Sequence, residues 1–276
     1  MVYEKAYAKV NLFLQVTGKT SDGFHSLKTL MVPVDLYDEL IFEQNNFKDN
    51  ILIDNKIPNN SILIAAQKLQ DKYGIQGTII KCNKKIPMEA GLGGGSSDSS
   101  ATLRGINKLF NLGCSLDELK KLADSLGSDN SFCLYNKAAI CLGRGEQLSF
   151  IDKPFELNIL LIKPSFGLST REVFSNYSKC NRKYPTDDEI VNALYNEDYD
   201  KLNSILYNDL FAAAIKVEPK LDDLKRSIES FGVKVHMTGS GSTLFVIDED
   251  VKRLNRIKNN YPELQCHLTK IKNTLS

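Results

Sequence analysis

Apolar and polar residues alternate along the first third of the chain. From Tyr3 to Val16, Ala, Val, Leu and Phe recur at nearly every second position, and Leu30 to Phe42 repeats the style. A period of two predicts strands with one buried face. Between them, Thr17-Gly18-Lys19-Thr20-Ser21-Asp22-Gly23 reads as a turn-rich loop. The period then lengthens. Ile62, Ala65, Ala66 and Leu69 share one side of a helix expected from Asn60 or Ser61 to Gly74. Thr78 to Cys82 predicts a short strand.

A helix is expected from about Ser97 to Leu112. Ala101, Ile106, Leu109 and Phe110 face inward, and Gly113 stops it. Serines and an aspartate in its first turn suit capping and the macrodipole. Ser115-x-x-Glu118 is a capping box for the next helix, whose stripe is Leu119, Leu122, Ala123 and Leu126 and whose end is Gly127. Ser128-Asp129 therefore falls in a loop just past a firm helix end, a suitable place for a held carboxylate.

Leu157 to Ile162 is an apolar strand stopped by Pro164, and a boundary is placed near Pro154. This divides the chain into residues 1–154 and 155–276. The second part predicts helices near 169–177, 187–195, 199–215, 220–231 and 250–259. It predicts strands at Lys234–Met237, Thr243–Ile247 and Gln265–Ile271. Mixed strands and helices of this kind indicate an α+β fold.

One segment breaks every period. Pro87-Met88-Glu89-Ala90-Gly91-Leu92-Gly93-Gly94-Gly95-Ser96-Ser97 places four glycines within five positions and then runs into a helix. Small side chains leave the backbone bare, and amides ahead of a helix N-terminus favour an anion, most naturally a phosphate chain. A Walker loop is excluded, because no Lys follows these glycines. Gly18-Lys19-Thr20 has the right ending, but Phe13 occupies the place of the first Gly. The dinucleotide fingerprint fails at Ser96, where its third Gly belongs. A flexible linker would not open into an amphipathic helix.

Composition narrows the classes. The chain has 276 residues, 42% hydrophobic and 25% charged, with a formal net charge of +1. These values fit a globular protein with no electrostatic pull toward nucleic acid or an anionic membrane. No apolar run approaches a membrane span, and the N-terminus lacks a secretion-signal core, so a cytoplasmic protein is expected. Six cysteines (82, 114, 133, 141, 180, 266) lack C-x-x-C spacing and read as reduced, mostly buried thiols. Three scattered histidines make a zinc site unexpected.

Phosphoryl transfer needs a cradle, charge neutralisation and a group that handles the acceptor proton. Asp129 is one candidate for the last role, although a turn residue after a helix reads as well. Lys9, inside the apolar strand Ala8-Lys9-Val10-Asn11, is costly unless paired, although it could be an edge-strand charge. Spacing does not show that the two meet. In Asp22-Gly23-Phe24-His25 an aromatic beside a His can stack on a base, or simply follow a turn into the core. Met237-Thr238-Gly239-Ser240-Gly241-Ser242 lies between two short strands and reads as a hairpin turn or a second anion wall.

Taken together, these segments resemble the GHMP kinase superfamily, whose nucleotide motif has the form P-x-x-x-G-L-G-[GS]-S-S; residues 87–97 read P-M-E-A-G-L-G-G-G-S-S, one glycine longer. Further carriers are Ala8–Leu14, Gly18–Leu27, Asp35–Leu40, Leu126–Asp129, Gly143–Glu146 and Met237–Ser242, in the family's order. The likeness is strongest to the branch that phosphorylates a CDP-linked polyol. It implies a two-domain fold: an N-terminal domain like the second domain of ribosomal protein S5, and a ferredoxin-like C-terminal domain, with the active site between them. It implies ATP as co-substrate and Mg²⁺, with residues 87–97, Asn60 and Lys84 near the nucleotide. Asp129 would take the acceptor proton, with Lys9 as its electrostatic partner. Asn11, Thr238, Gly239 and Ser240 would contact the acceptor. Phe24, His25 and Phe174 would hold its cytosine. The expected partner is a small molecule, with no nucleic acid, no membrane, and a monomer or weak homodimer.

Two departures stand out. Asn130-Ser131 replaces the family's usual Val-Pro, which should loosen the turn after Asp129. Phe24 replaces the commoner Tyr and keeps the stacking face. The rival readings are a GHMP kinase for mevalonate-type, homoserine or sugar acceptors, and a nucleotide-binding sensor without turnover. A cytosine clamp disfavours the first, and the presence of both Lys9 and Asp129 disfavours the second.

Overall fold

The computed structural model describes residues 1–20, 23–45, 51–54, 60–179 and 181–275. Ser21, Asp22 and Cys180 lie outside these residues. Two long strands, β1 (Val2–Lys19) and β2 (His25–Gln44), pair antiparallel over almost their whole length. β3 (Ile51–Ile53) lies parallel to β4 (Thr78–Asn83), and α1 (Ser61–Tyr73) makes the crossover between them. Next come α2 (Gly94–Leu109), α3 (Leu116–Asp124), α4 (Asn130–Tyr135) and the hairpin β5 (Ala139–Gly143) and β6 (Gln147–Phe150). The second part contains β7 (Glu156–Lys163), α5 (Thr170–Ser175), α6 (Asp187–Tyr195), α7 (Tyr199–Ile205), α8 (Phe211–Val217) and α9 (Lys220–Glu229). It closes with β8 (His236–Met237), β9 (Leu244–Ile247), α10 (Val251–Asn260) and β10 (Gln265–Lys272).

All ten described strands share one sheet, along the path β3-β4-β2-β10-β7-β9-β8, with β1 and β5 also on β2. The last strand closes the seam. β10 pairs with β7 from Gln265 to Lys272 and touches β2 at Ile271–Val34. The architecture is α+β, as expected. β7 buries both faces. Leu157, Ile159 and Leu161 enter one core with Val10 and Phe245, while Leu160 and Ile162 enter another with Val173 and Leu254. A strand covered on both sides carries a continuous apolar run, and that is what its sequence shows. A third core lies between α1, α2 and the sheet, around Phe42, Ile62, Leu69 and Ile106. There, a Cβ on Gly105 would sit 2.4 Å from the Phe42 ring, so α2 approaches the strand as only glycine allows.

Most of the predicted helices and strands are present. The single helix expected at 199–215 is two, because residues 206–210 do sheet-like work. Tyr207 C=O accepts the Leu14 N–H at 3.0 Å, and Leu14 C=O accepts the Asp209 N–H at 2.9 Å. The loop expected from Thr17 narrows, since β1 runs to Lys19. The strand expected at Lys234–Met237 is only His236–Met237. α2 starts at Gly94 rather than Ser97, and this difference bears on the site.

Candidate active site

The glycine-rich segment is the turn that launches α2. Gly91 and Gly93 have φ of 71° and 70°, and Gly93 is the N-cap. The expected side-chain cap is absent: no side-chain hydrogen bond caps the helix start and no acidic residue occupies its first turn. The orphan amides of a 16-residue helix are thus left without a protein anion. They border a cavity of about 370 Å³ lined by Asn60, Lys84 and residues 86–96, Met88 and Glu89 among them. Not every motif residue faces that cavity. Ala90 and Leu92 are buried and contribute backbone: Ala90 C=O accepts from Thr243 N–H, and Leu92 C=O from Lys9 N–H. The Ser97 hydroxyl turns inward and donates to Tyr7 C=O at 2.7 Å. Pro87 lines the rim.

β1 carries its lysine to this turn. Lys9 is 4% exposed, and a Cβ on Gly93 would meet its Cγ at 2.9 Å. Its Nζ lies 3.3 Å from Asp129 Oδ2 and donates to Asn11 Oδ1 at 2.6 Å. Asn11 is fixed in turn: its Nδ2 donates to Thr29 Oγ1 at 2.8 Å, and its backbone N–H to Thr238 Oγ1 at 2.9 Å. The strand lysine is therefore a paired buried cation. Among the described strands β1 pairs only with β2 and is an edge strand, but this charge is buried rather than turned to solvent.

Asp129 is the N-cap of α4, not a free loop residue. Its side chain is 29% exposed. The turn after it is tied down despite the departure at Asn130-Ser131. Asn130 Nδ2 donates to Ser99 Oγ, Asn130 C=O accepts from Ser100 Oγ at 2.7 Å, and Ser131 Oγ bonds Asp124. The side chains of both replacing residues thus find partners.

The segment 238–243 joins two antiparallel strands, so it is a hairpin connection, and it also packs on the glycine turn. A Cβ on Gly91 would meet Thr238 O and Gly241 O at 2.9 Å, and one on Gly239 would meet Asn11 Oδ1 at 3.3 Å. Ser240 is 8% exposed and shares a 2.9 Å hydrogen bond with Thr170.

Lys84 is held by a device the sequence did not announce. Its ammonium pairs with Asp38 Oδ2 at 2.5 Å and Asp98 Oδ2 at 2.6 Å. Asp38 is fully buried and also accepts the Ile86 N–H. Asp98 Oδ1 is buried with no hydrogen-bond partner. Burial, opposed by Lys84 and reinforced by Asp38, pushes the Asp98 carboxyl up to about 7. A charged position on the inward side of β2 was the available signal for Asp38.

Another cavity, of about 890 Å³, has Ser128, the neighbour of Asp129, in its wall. Phe24, His25 and Phe174 line it. His25 and Phe174 stack with centroids 5.0 Å apart, and Phe24 is 57% exposed. Desolvation, with Lys19 second, lowers the His25 pKa, so its ring is neutral at pH 7. The Lys9–Asp129 pair thus touches the amide turn through Lys9 at Gly93 and adjoins Ser128 of the aromatic pocket through Asp129.

Known proteins share this sequence and fold. Residues 60–137 match the model of the GHMP kinases N terminal domain, and residues 190–264 that of the GHMP kinases C terminal domain. A 4-diphosphocytidyl-2-C-methyl-D-erythritol kinase from Geobacillus sp. (strain WCH70) is 42% identical over 262 residues, covering 92% of this chain and 91% of its own. The chain belongs to the GHMP kinase family. Within it, the likeness is to the 4-diphosphocytidyl-2-C-methyl-D-erythritol kinases. A crystal structure of 4-(cytidine 5'-diphospho)-2C-methyl-D-erythritol kinase superposes with a TM-score of 0.85 at 27% identity, over 98% of each chain. A homoserine kinase from Cytophaga hutchinsonii shares the fold, with a TM-score of 0.74 at 20% identity over 99% of this chain and 95% of that one. The two-domain GHMP kinase fold is thus realised here on a single shared sheet. Among the described residues, no helix is long and apolar enough to cross a membrane, and no three His, Cys, Asp or Glu side chains cluster to hold a metal. The five described cysteines are free thiols; Cys133 and Cys141 are buried and the other three half-buried.

Proposed function

We propose that this GHMP kinase transfers the γ-phosphoryl group of ATP to the 2-hydroxyl of 4-diphosphocytidyl-2-C-methyl-D-erythritol, a step of non-mevalonate isoprenoid biosynthesis. One observation carries the reading: in the 3.3 Å Lys9–Asp129 pair the lysine packs on Gly93 of the amide cradle and the aspartate follows Ser128 of the aromatic pocket. Phosphoryl transfer asks the protein for positioning and electrostatics rather than covalent chemistry. The first-turn amides of α2 take the negative charge of the phosphates. Asp129 accepts the proton of the attacking hydroxyl. Lys9, fixed by Asn11, keeps that carboxylate ionised and offsets charge developing on the transferred group. Asn11 and the 238–240 turn border the acceptor. Phe24 and Phe174 offer faces to the cytosine, and neutral His25 offers a hydrogen bond.

ATP enters as its Mg²⁺ complex. Mg²⁺ would be held mainly by phosphate oxygens and water. In this reading residues 1–154 carry the nucleotide and residues 155–276 complete the acceptor cleft, in a cytoplasmic enzyme acting as a monomer or weak homodimer.

A substrate panel tests the proposal. The purified chain with MgATP should phosphorylate the CDP-linked methylerythritol and leave mevalonate and homoserine untouched. Phosphorylation of either of those in preference, or ATP binding with no product from any acceptor, would overturn it.

A further inference from the structure

The basic side chains around the aromatic pocket have no part in the account so far. Among the described residues, Lys19, Arg144, Arg171 and Lys179 line it, and no Asp or Glu does. One of the four is placed at close range. The Arg144 guanidinium carbon lies 4.0 Å from the centroid of the Phe24 ring. Its turn is pinned from below: Arg144 N–H donates to Glu146 Oε2 at 2.8 Å, and Gly145 N–H to Leu142 C=O at 3.1 Å. The next residue abuts the other end of the site. A Cβ on Gly145 would meet Ser128 O at 3.5 Å and Asp129 Oδ1 at 3.7 Å. The segment 144–145 therefore bridges the aromatic ring and the carboxylate.

A cytidine-linked polyol has its diphosphate between its base and its hydroxyls. With the base at Phe24 and a hydroxyl at Asp129, the diphosphate must pass along this bridge. Resting on the function proposed above, we propose that Arg144 binds that diphosphate, and that it makes the pocket a reader of cytidine diphosphate rather than of cytidine. Its planar fork suits the role. A guanidinium can stack on a ring and still present paired N–H donors to phosphate oxygens, which a lysine ammonium does not. Stacking on Phe24 restrains the side chain before the ligand arrives, so less rotamer freedom is lost on binding. The four basic side chains add attraction for an anionic ligand.

The test is a titration of cytidine and of cytidine diphosphate against the intact protein, Arg144→Gln and Arg144→Lys. KM for ATP in each variant reports whether the fold and the phosphate cradle survive. We expect the unaltered protein to bind cytidine diphosphate at least about tenfold more tightly than cytidine. Arg144→Gln should weaken the diphosphate by about 10- to 100-fold and leave cytidine within about twofold. Arg144→Lys should fall between, because it keeps the charge and loses the fork. A parallel loss for cytidine and its diphosphate would overturn the inference, since Arg144 would then act only by holding Phe24. Unchanged affinity for the diphosphate would overturn it too. Failure of the unaltered protein to bind either ligand would strike the proposed function itself, and this inference with it.

Discussion

Lys9 reaches Asp129 across 3.3 Å while its ammonium also donates to Asn11 at 2.6 Å. The lysine is buried and the aspartate is partly open to solvent. The cation is therefore the fixed member of the pair, and the carboxylate is the member that can meet a ligand. Replacing Lys9 with Met keeps most of the volume and removes the charge. Turnover should fall by about 10²–10³, the usual weight of one preorganised electrostatic contact, with KM for ATP within a few-fold. Steady-state kinetics over both substrates checks this; unchanged kcat would remove Lys9 from the mechanism.

Gly93 serves that lysine. Its φ is 70°, and an added Cβ would lie 2.9 Å from Lys9 Cγ. Gly93→Ala should therefore displace the lysine stem and strain the turn, a cost of about 1–2 kcal/mol. Lower kcat and raised KM for ATP are expected together, because one methyl disturbs both the cradle and the pair. A variant with both constants unchanged would contradict the contact.

Asp98 gives a pH signature. Unfolded, its carboxyl ionises near its ordinary value of about 4. Folded, burial delays ionisation to about 7. Between those values the folded state holds more protons, so stability falls as pH rises through the window. Asp98→Asn removes the penalty, and Lys84 keeps Asp38. The variant should gain about 1–3 kcal/mol over the parent at pH 8, and the gain should shrink toward pH 5. Denaturant melts at the two pH values check it. An equal offset at both would contradict the assignment.

Gly105 tests the platform beneath the site. Alanine improves helix propensity by about 1 kcal/mol. Yet its Cβ would sit 2.4 Å from the buried Phe42 ring, which must move. A net loss of about 1–2 kcal/mol is expected, with Tm lower by several degrees. A raised Tm would show that α2 can shift without cost.

Much of this was legible in the chain itself. The β1 alternation, the α1 stripe and the Ser115–Glu118 capping box, whose bonds are formed, follow from local rules. The glycine turn that opens α2 stood out by composition alone. What stayed hidden depends on distant partners. The break between α7 and α8 comes from Tyr207 and Asp209 bonding the backbone of Leu14, nearly two hundred residues earlier. No local pattern around residue 206 announces it. The short α4 is likewise specified by tertiary contacts, through Asn130 to Ser99 and Ser100. The start of α2 was placed late because serines looked like caps, whereas Ser97 bonds β1 and Gly93 caps with its backbone. Arg144 on Phe24 joins residues 120 positions apart in a contact that spacing does not encode.

The most direct measurement is turnover of Asp129→Asn beside its affinity for ATP. The substitution keeps the shape of the N-cap residue and removes the base. We expect kcat for the CDP-linked polyol to fall by about 10²–10⁴ while the ATP dissociation constant stays within about twofold. Undiminished turnover in a correctly folded Asp129→Asn protein would contradict the account at its centre.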